Sequence, residues 1–366
     1  MKGRGLPGLI FVNRTQRLRT TGREPDIQTV EINIENSSGL IRYLRATRRI
    51  EDTAIPTVTV LSGGVSNRTV LIEHADGTDW VLKQSLSKLR VADDWYCHPA
   101  RIEREALGLQ QLEKLTPGQV PSFVFEDPRN HLFAMTAVPK PHSNWKALLL
   151  AGDVDLDLCR QFGELLGRIH RPGSESINQL RRLFADRTYF DALRLEPYYR
   201  TAAARNPETG PFFVLLIDEC RSIQKALVHG DFSPKNVLVH QGRLVLLDFE
   251  VIHFGDPAFD LGFSLTHLLS KAHHLPAHRA KLLAAAGAYW NSYVESLPSR
   301  TDAVLEERAV RHTLACLLAR VDGRSPLEYL TAEEREDQRR ISIELMRCNV
   351  PAVPELIGEF AGRVRD

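Results

Sequence analysis

Several things are scarce in this sequence, and each scarcity closes off a class of function. Lys+Arg total 47 against Asp+Glu 46, a net charge of +1. No excess field exists to hold a phosphate backbone or an anionic lipid surface, so neither nucleic acid nor membrane is expected as a partner. No run of 18 apolar residues is available to span a bilayer, and the one apolar stretch near the start, Leu6 to Val12, is short and broken by Pro7. The five cysteines, at 97, 159, 220, 316 and 348, are odd in number, far apart and without a C-x-x-C pair, a pattern that suits a reducing cytoplasm. No internal repeat or low-complexity tract appears.

What is present is length and patterning. With 366 residues and 43% hydrophobic content, the chain can bury a full core, and the length favours two packed lobes. Residues 1–28 read as a disordered basic tail: Lys2, Arg4, Arg14, Arg17, Arg19 and Arg23 occur with no acid among the first 23 positions. Ser37 or Ser38 can cap a helix carrying Leu40, Ile41, Leu44 and Ile50. Strands are expected over Thr57 to Leu61, Thr69 to His74 and Trp80 to Gln84, the last two joined by a hairpin turn at Ala75-Asp76-Gly77-Thr78. Ile102, Glu105, Ala106, Leu109 and Leu112 then recur at helical spacing after Pro99 and stop at Pro117-Gly118. Two more strands, Ser122 to Phe125 and Leu132 to Val138, flank a turn at Asp127 to Asn130. Beyond two prolines at 139 and 141 the pattern turns helical, at Trp145 to Leu150, Asp155 to His170, Ser264 to Ala272, Ala277 to Val294 and Ala303 to Arg320. The division is therefore a sheet-rich lobe over 29–138 and a helical lobe over 139–366.

The strongest chemical signal is Leu227-Val-His-Gly-Asp-Phe-Ser-Pro-Lys-Asn-Val-Leu-Val239, a turn at Gln241-Gly242, and Leu244-Val-Leu-Leu-Asp-Phe-Glu250. An apolar run leads into a polar loop holding Asp231 and Asn236, and a tight hairpin returns the chain to Asp248. Loop and carboxylate are thereby brought together, close enough to share one metal. Phosphoryl transfer needs a positioned hydroxyl and a cation to neutralise charge on the phosphate oxygens. Asp231 can orient the hydroxyl or accept its proton, and Asn236 and Asp248 offer the hard oxygen ligands that Mg2+ prefers. Glu250, two residues beyond Asp248 on an extended segment, can reach a second metal directly or through water. His229 is expected to pack and hydrogen-bond beneath the loop.

These residues resemble the aminoglycoside phosphotransferase and choline kinase superfamily, relatives of protein kinases. His229-Gly230-Asp231 through Asn236 is similar to that group's catalytic loop, Asp248-Phe249-Glu250 to its metal-binding segment, and Gly255-Asp-Pro-Ala-Phe-Asp260 to its continuation, in which Asp260 opens a helix and braces the loop. The resemblance, over roughly 55 to 270, implies an α+β, two-lobed protein-kinase-like fold: a small antiparallel sheet with one main helix, and a larger, mostly helical lobe. It implies an ATP-dependent kinase acting on a small-molecule hydroxyl acceptor. Lys83 would reach the α and β phosphates of ATP. Glu105 would pair with Lys83, in preference to Glu103, because it shares a face with Ile102, Leu109 and Leu112. Leu61 to Asn67, with Gly63, Gly64 and Ser66, would cover the phosphates, and Thr136 to Val138 would hold adenine. Some likeness to methylthioribose kinases is seen at Lys83-Gln84, around Arg101 to Glu103 and in the Asp-x-Glu at 248 and 250, although no copy of their paired-arginine motif is found.

The acceptor is not named by these motifs. Aromatics are 7% of the chain with no late cluster, which favours sugars over choline-type cations that need aromatic cages. Arg320, Asp322 and Arg324, in a polar break between helical stretches, are candidate substrate contacts or simple helix terminators. His273, His274 and His278 are expected to be solvated or capping rather than metal ligands, since Pro276 interrupts their helix. Two other functions stand beside the kinase: a nucleotide-binding pseudokinase serving as a regulatory module, although such proteins usually lose a metal ligand or the catalytic Asp, and a metal-dependent hydrolase, for which the His spacing is absent.

Overall fold

The computed structural model describes residues 32–61, 64–91, 94–171, 173–297 and 303–365. The basic tail over 1–28 and Gly63 lie outside them. Helix α1 (Ser37–Ala46) precedes the sheet strands β1 (Thr57–Val60), β2 (Asn67–Glu73) and β3 (Trp80–Ser85), helix α2 (Arg101–Leu115), and strands β4 (Phe123–Asp127) and β5 (Leu132–Thr136). The cap of α1 is Asn36, whose side chain accepts from the Gly39 amide, and not Ser37 or Ser38. The five strands form one antiparallel sheet in the order β1-β2-β3-β5-β4.

Period-2 alternation decides what each sheet face does. Val70, Ile72, Leu82, Leu132 and Ala134 point to one face and close a core with Leu40 and Leu44 of α1. Phe133 and Met135 point to the other face, in the core that also holds Ile102, Ala106, Leu109 and Leu112 of α2. Lys83 sits one residue beyond Leu82 and therefore emerges on the α2 side.

Residues 137–141 lead from the sheet to β6 (His142–Asn144), α3 (Trp145–Leu150), α4 (Leu156–His170), α5 (Ser174–Leu183) and the short α6 (Thr188–Phe190). A π-helix, Asp191–Arg200, follows, then α7 (Thr201–Arg205), α8 (Gly210–Ser222) and the strands β7 (Ala226–Val228), β8 (Val237–His240), β9 (Arg243–Leu246) and β10 (His253–Gly255). The chain ends in α9 (Ala258–His274), α10 (Arg279–Glu295), α11 (Ala303–Asp322), α12 (Ala332–Arg347) and α13 (Val353–Arg363). Helix α9 is buried on almost every side, which is why its apolar signal has no clean period and the sequence shows only part of it. Helical segments α5 to α8, the π-helix, α12 and α13 lie outside the helices that the sequence pattern predicts. Helices α5 and α13 do carry an apolar stripe, whereas in α12 charged residues take partners on other elements and blur one.

The sheet and the helical portion meet at a close approach. A Cβ placed on Gly108 of α2 would lie 2.9 Å from Ile252 Cγ2 and 3.0 Å from Phe249 Cβ, and both neighbours are buried in the main core. Gly108→Leu is expected to push α2 off the segment after Asp248 and to destabilise the protein by about 1–3 kcal/mol. Thermal denaturation checks it; an unchanged melting temperature would show that the contact yields freely.

Candidate active site

The loop between β7 and β8 is shaped by its own backbone bonds. Gly230 adopts φ +79, and a Cβ there would meet Val251 Cγ2 at 2.8 Å, so glycine is required. The Asp260 carboxylate, at the start of α9 and fully buried, accepts the amides of His229 (2.7 Å) and Gly230 (2.8 Å), and His170 Nε2 lies 3.2 Å from it. Burial acts to raise the Asp260 pKa, but the His170 bond and the surrounding donors outweigh it and hold it below the usual carboxylate range. His229 Nδ1 accepts the Asp231 amide (3.1 Å), which leaves Nε2 to donate to the Leu247 carbonyl (3.2 Å). Both ring nitrogens are thus occupied, and burial lowers the pKa, so His229 is a neutral strut joining the loop to the hairpin's far end.

Asp231, Asn236 and Asp248 are brought together. Asn236 Nδ2 donates to Asp231 Oδ2 (2.7 Å) and to the Asp231 carbonyl (3.0 Å). The amide's nitrogen is spent, so its oxygen is the group left to face a cation. The β8–β9 turn carries Gln241 at φ +49 and Gly242 at φ +72, the two left-handed residues of a tight hairpin. Beyond it, the Leu247 amide bonds to the Asn236 carbonyl at 2.8 Å, placing Asp248 beside Asn236. Asp248 itself is held at φ +70, a conformation that costs free energy for a residue with a Cβ and recurs at functional sites.

From the sheet, Lys83 Nζ contacts Glu105 Oε1 of α2 and lies 2.8 Å from Asp248 Oδ1. Glu105 is buried whereas Glu103 is exposed. Burial opposes the charge on Lys83, but Asp248 and Glu105 more than compensate and its pKa rises. Burial also works against the Asp248 charge, yet Lys83 outweighs it and the carboxyl is strongly acidic. Glu105 is pushed up by burial, with Lys83 only partly offsetting it, because three carboxylates share this lysine's surroundings. Glu250 is committed elsewhere on one side: its Oε2 lies 3.1 Å from Arg101 Nε. Fully buried Arg101 also donates to the carbonyls of Ser66, Leu86 (2.9 Å) and Cys97 (3.2 Å). It therefore ties the loop before β2 to the Asp248–Glu250 segment.

Lys83, Asp231, Asn236, Asp248 and Glu250 line one cleft of about 780 Å³, together with Gly64, Ser66, Thr136 and Val138, while Glu105, Arg101, His229 and Asp260 support it from behind. The amides of Thr136 and Ala137 are taken by the carbonyls of Ser122 (2.9 Å) and Asp79 (2.8 Å).

The far wall holds residues that sequence patterning missed. Arg194, from the π-helix, places Nη2 3.0 Å from Asp231 Oδ2 and donates through Nε to the Gly230 carbonyl at 2.7 Å. Tyr198, four residues on, receives Arg320 Nη1 at 3.0 Å. Neither Arg194 nor Tyr198 belongs to a readable motif, and Asp231 lies 37 positions away along the chain from Arg194, so only folding pairs them. Arg320 lines the cleft but Asp322 and Arg324 do not. Asp322 is held by Arg339 (2.7 Å) and Asn206 (2.9 Å), while the Arg324 amide bonds to Pro197 at 2.9 Å. His273 and His274 are not solvated as expected: His273 is buried 3.5 Å from Asp337, and His274 is 3.0 Å from Glu334, acids supplied by the unforeseen α12. Among the described residues no three His, Cys, Asp or Glu side chains cluster to hold a metal.

Comparison with known proteins identifies the family. Residues 57–295 match the model of a phosphotransferase enzyme family. The chain belongs to that family. It is 24% identical over 269 aligned residues to methylthioribose kinase 2 of Oryza sativa subsp. japonica, an alignment taking in 64% of this chain and 62% of that one; the chain thus spans less than two thirds of the length of this curated relative. Among solved structures, a Plasmodium vivax ethanolamine kinase superposes with a TM-score of 0.55 at 10% identity, covering 86% of this chain and 91% of that one. A choline/ethanolamine kinase family protein from Mesorhizobium loti gives 0.52 at 16% identity, covering 89% and 98%. At these identities the likeness is one of fold, and the chain adopts the protein-kinase-like fold. No helix among the described residues is long and apolar enough to cross a membrane.

Proposed function

We propose that this phosphotransferase moves the γ-phosphoryl group of ATP to a hydroxyl of a small, polar, sugar-like acceptor in the cytoplasm. The observation that carries this reading is the meeting of Lys83, bound to Glu105 on one wall, with Asp248, Asn236 and Asp231 on the other. Lys83 binds the α and β phosphates, with Glu105 fixing its position. Gly64 and Ser66 bring backbone amides over the phosphates, and Thr136 and Val138 place the adenine. The Asn236 oxygen and Asp248 would hold a magnesium ion, with Glu250 available to a second, and the bound ion would neutralise charge on the phosphate oxygens. Asp231 receives the acceptor's hydroxyl proton as the new O–P bond forms and the bond from γ-phosphorus to the ADP oxygen breaks. Arg194 and Asn236 fix which Asp231 oxygen faces the acceptor.

The methylthioribose kinase relatives put five-carbon thiosugars first in an acceptor panel, with other sugars and amino alcohols beside them. A pseudokinase would lack part of this set, and here the set is complete. The test is ADP release with magnesium ATP across that panel. Lys83→Met is expected to weaken ATP binding and lower kcat/KM by about 100-fold or more, from loss of a buried charged contact. Binding of ATP without transfer to any acceptor would overturn the kinase reading in favour of a regulatory module.

A further inference from the structure

Five acids and five bases line the cleft as a whole, but beyond Asp231 its wall carries cations that no ion pair meets. Glu73 is met by Lys140 (3.1 Å), Asp248 by Lys83, Glu250 by Arg101 and Asp231 by Arg194. Arg320 and Lys235 also line the cleft, and among the described residues neither has a carboxylate within ion-pair distance, Asp248 acting on Lys235 and Glu328 on Arg320 only from farther off. Arg320 is 8% exposed; its Nη1 bonds only to neutral oxygens of Tyr198 and Ser325, and its buried Nε has no partner. His267 of α9 is 4% exposed, lines the same wall and has an unpartnered buried Nε2.

One helical turn behind His267 lies Lys271, fully buried, donating to the His267 carbonyl at 3.1 Å with no carboxylate in ion-pair distance among the described residues. Burial first, and then Lys146 and Arg320, hold its pKa down to about 7. The nearby acid Glu328 is already taken by Lys146. A buried guanidinium without an anion is costly, and its Nε–H, buried without an acceptor, marks a place for one, with the unpartnered His267 ring nitrogen free to bond the same ligand.

We propose that the hydroxyl acceptor carries an oxyanion, a carboxylate or a phosphate ester, seated on Arg320 with His267 beside it. This rests on the phosphoryl-transfer reading and narrows it to acidic sugar-like substrates. The geometry fits one small molecule. Tyr198 lies under both guanidinium groups, Arg194 at 5.7 Å and Arg320 at 5.5 Å from its ring, so an acceptor with its hydroxyl on Asp231 extends along Tyr198 to Arg320. An amino sugar would instead meet like charge there.

The test uses the full chain with magnesium ATP and four acceptors sharing one carbon skeleton: a neutral sugar, its sugar acid, its phosphate ester and its amino sugar. The acid or the ester is expected to exceed the neutral sugar in kcat/KM by about 100-fold, and whichever leads identifies the oxyanion. Arg320→Met is expected to raise KM for that acceptor by about as much while moving KM for the neutral sugar far less. Arg320→Lys, which keeps the charge and guards against a merely misfolded variant, should recover part of the loss. Preference for the neutral or amino sugar, or equal effects of Arg320→Met on both KM values, overturns the anion subsite and leaves the kinase reading standing. An acid that raises the melting temperature of wild type but not Arg320→Met, in the presence of a non-hydrolysable ATP analogue, and that is never phosphorylated, supports the subsite and overturns transfer. If no acidic acceptor reacts or binds, the subsite is wrong.

Discussion

Replacing Asp231 by Asn is expected to lower kcat by about 10²–10⁴-fold, the usual range for removing a general base, with little change in KM for ATP. The isosteric amide can still accept from Asn236 Nδ2 and Arg194 Nη2, which lie 2.7 and 3.0 Å from Asp231 Oδ2, so the loop keeps its shape. What is lost is the capacity to take the acceptor's proton. Because Asp231 acts on the acceptor and Lys83 on the nucleotide, the effects of the two substitutions should separate, one in turnover and the other chiefly in ATP binding. Steady-state kinetics on any acceptor that supports transfer checks this. A kcat within about tenfold of wild type, well short of what a general base contributes, would remove Asp231 from the proton transfer.

The second large effect is structural. Asp260→Ala leaves the buried amides of His229 and Gly230 without an acceptor and removes the group facing His170. Each orphaned donor costs about 1–3 kcal/mol, so a loss of roughly 3–5 kcal/mol and a fall in melting temperature on the order of 10 °C are expected. The pH dependence has a definite sign. The folded-state pKa of Asp260 is depressed, so its contribution is complete above the unfolded value of about 4 and disappears as pH falls through the lower folded value. Acid unfolding of wild type should therefore be steeper than that of Asp260→Ala, whose stability deficit shrinks at low pH. A deficit that is the same at acid and neutral pH would show that the ionised carboxylate is not what stabilises the loop.

Much of the fold could be read along the chain because its signals are local. The sheet strands alternate with period 2 and α2 carries a stripe, so β1 to β5 and α2 fall within a few residues of expectation. Helices α3, α4, α10 and α11 begin within two residues of their predicted starts, at Trp145, Leu156, Arg279 and Ala303. The π-helix could not be read this way: its i→i+5 bonding has no sequence period to detect, and it contains Pro197. The same holds for α12, whose acids and arginines look like a solvated surface but include the partners of His273, His274 and Asp322.

The sequence by itself determined the sheet-then-helices order and the loop and hairpin that bring Asp231, Asn236 and Asp248 together, because a tight turn joins residues that are near in the chain. It also determined which face of α2 turns inward, and so which glutamate is buried beside Lys83. Tertiary structure decided the rest. The pairing of Arg194 with Asp231, the clamp of Arg101 on Glu250 and the placing of Arg320 without Asp322 on the cleft each join segments far apart in sequence. A long-range contact between charged groups leaves no periodicity behind; it exists only once the intervening chain has packed and removed the competing water.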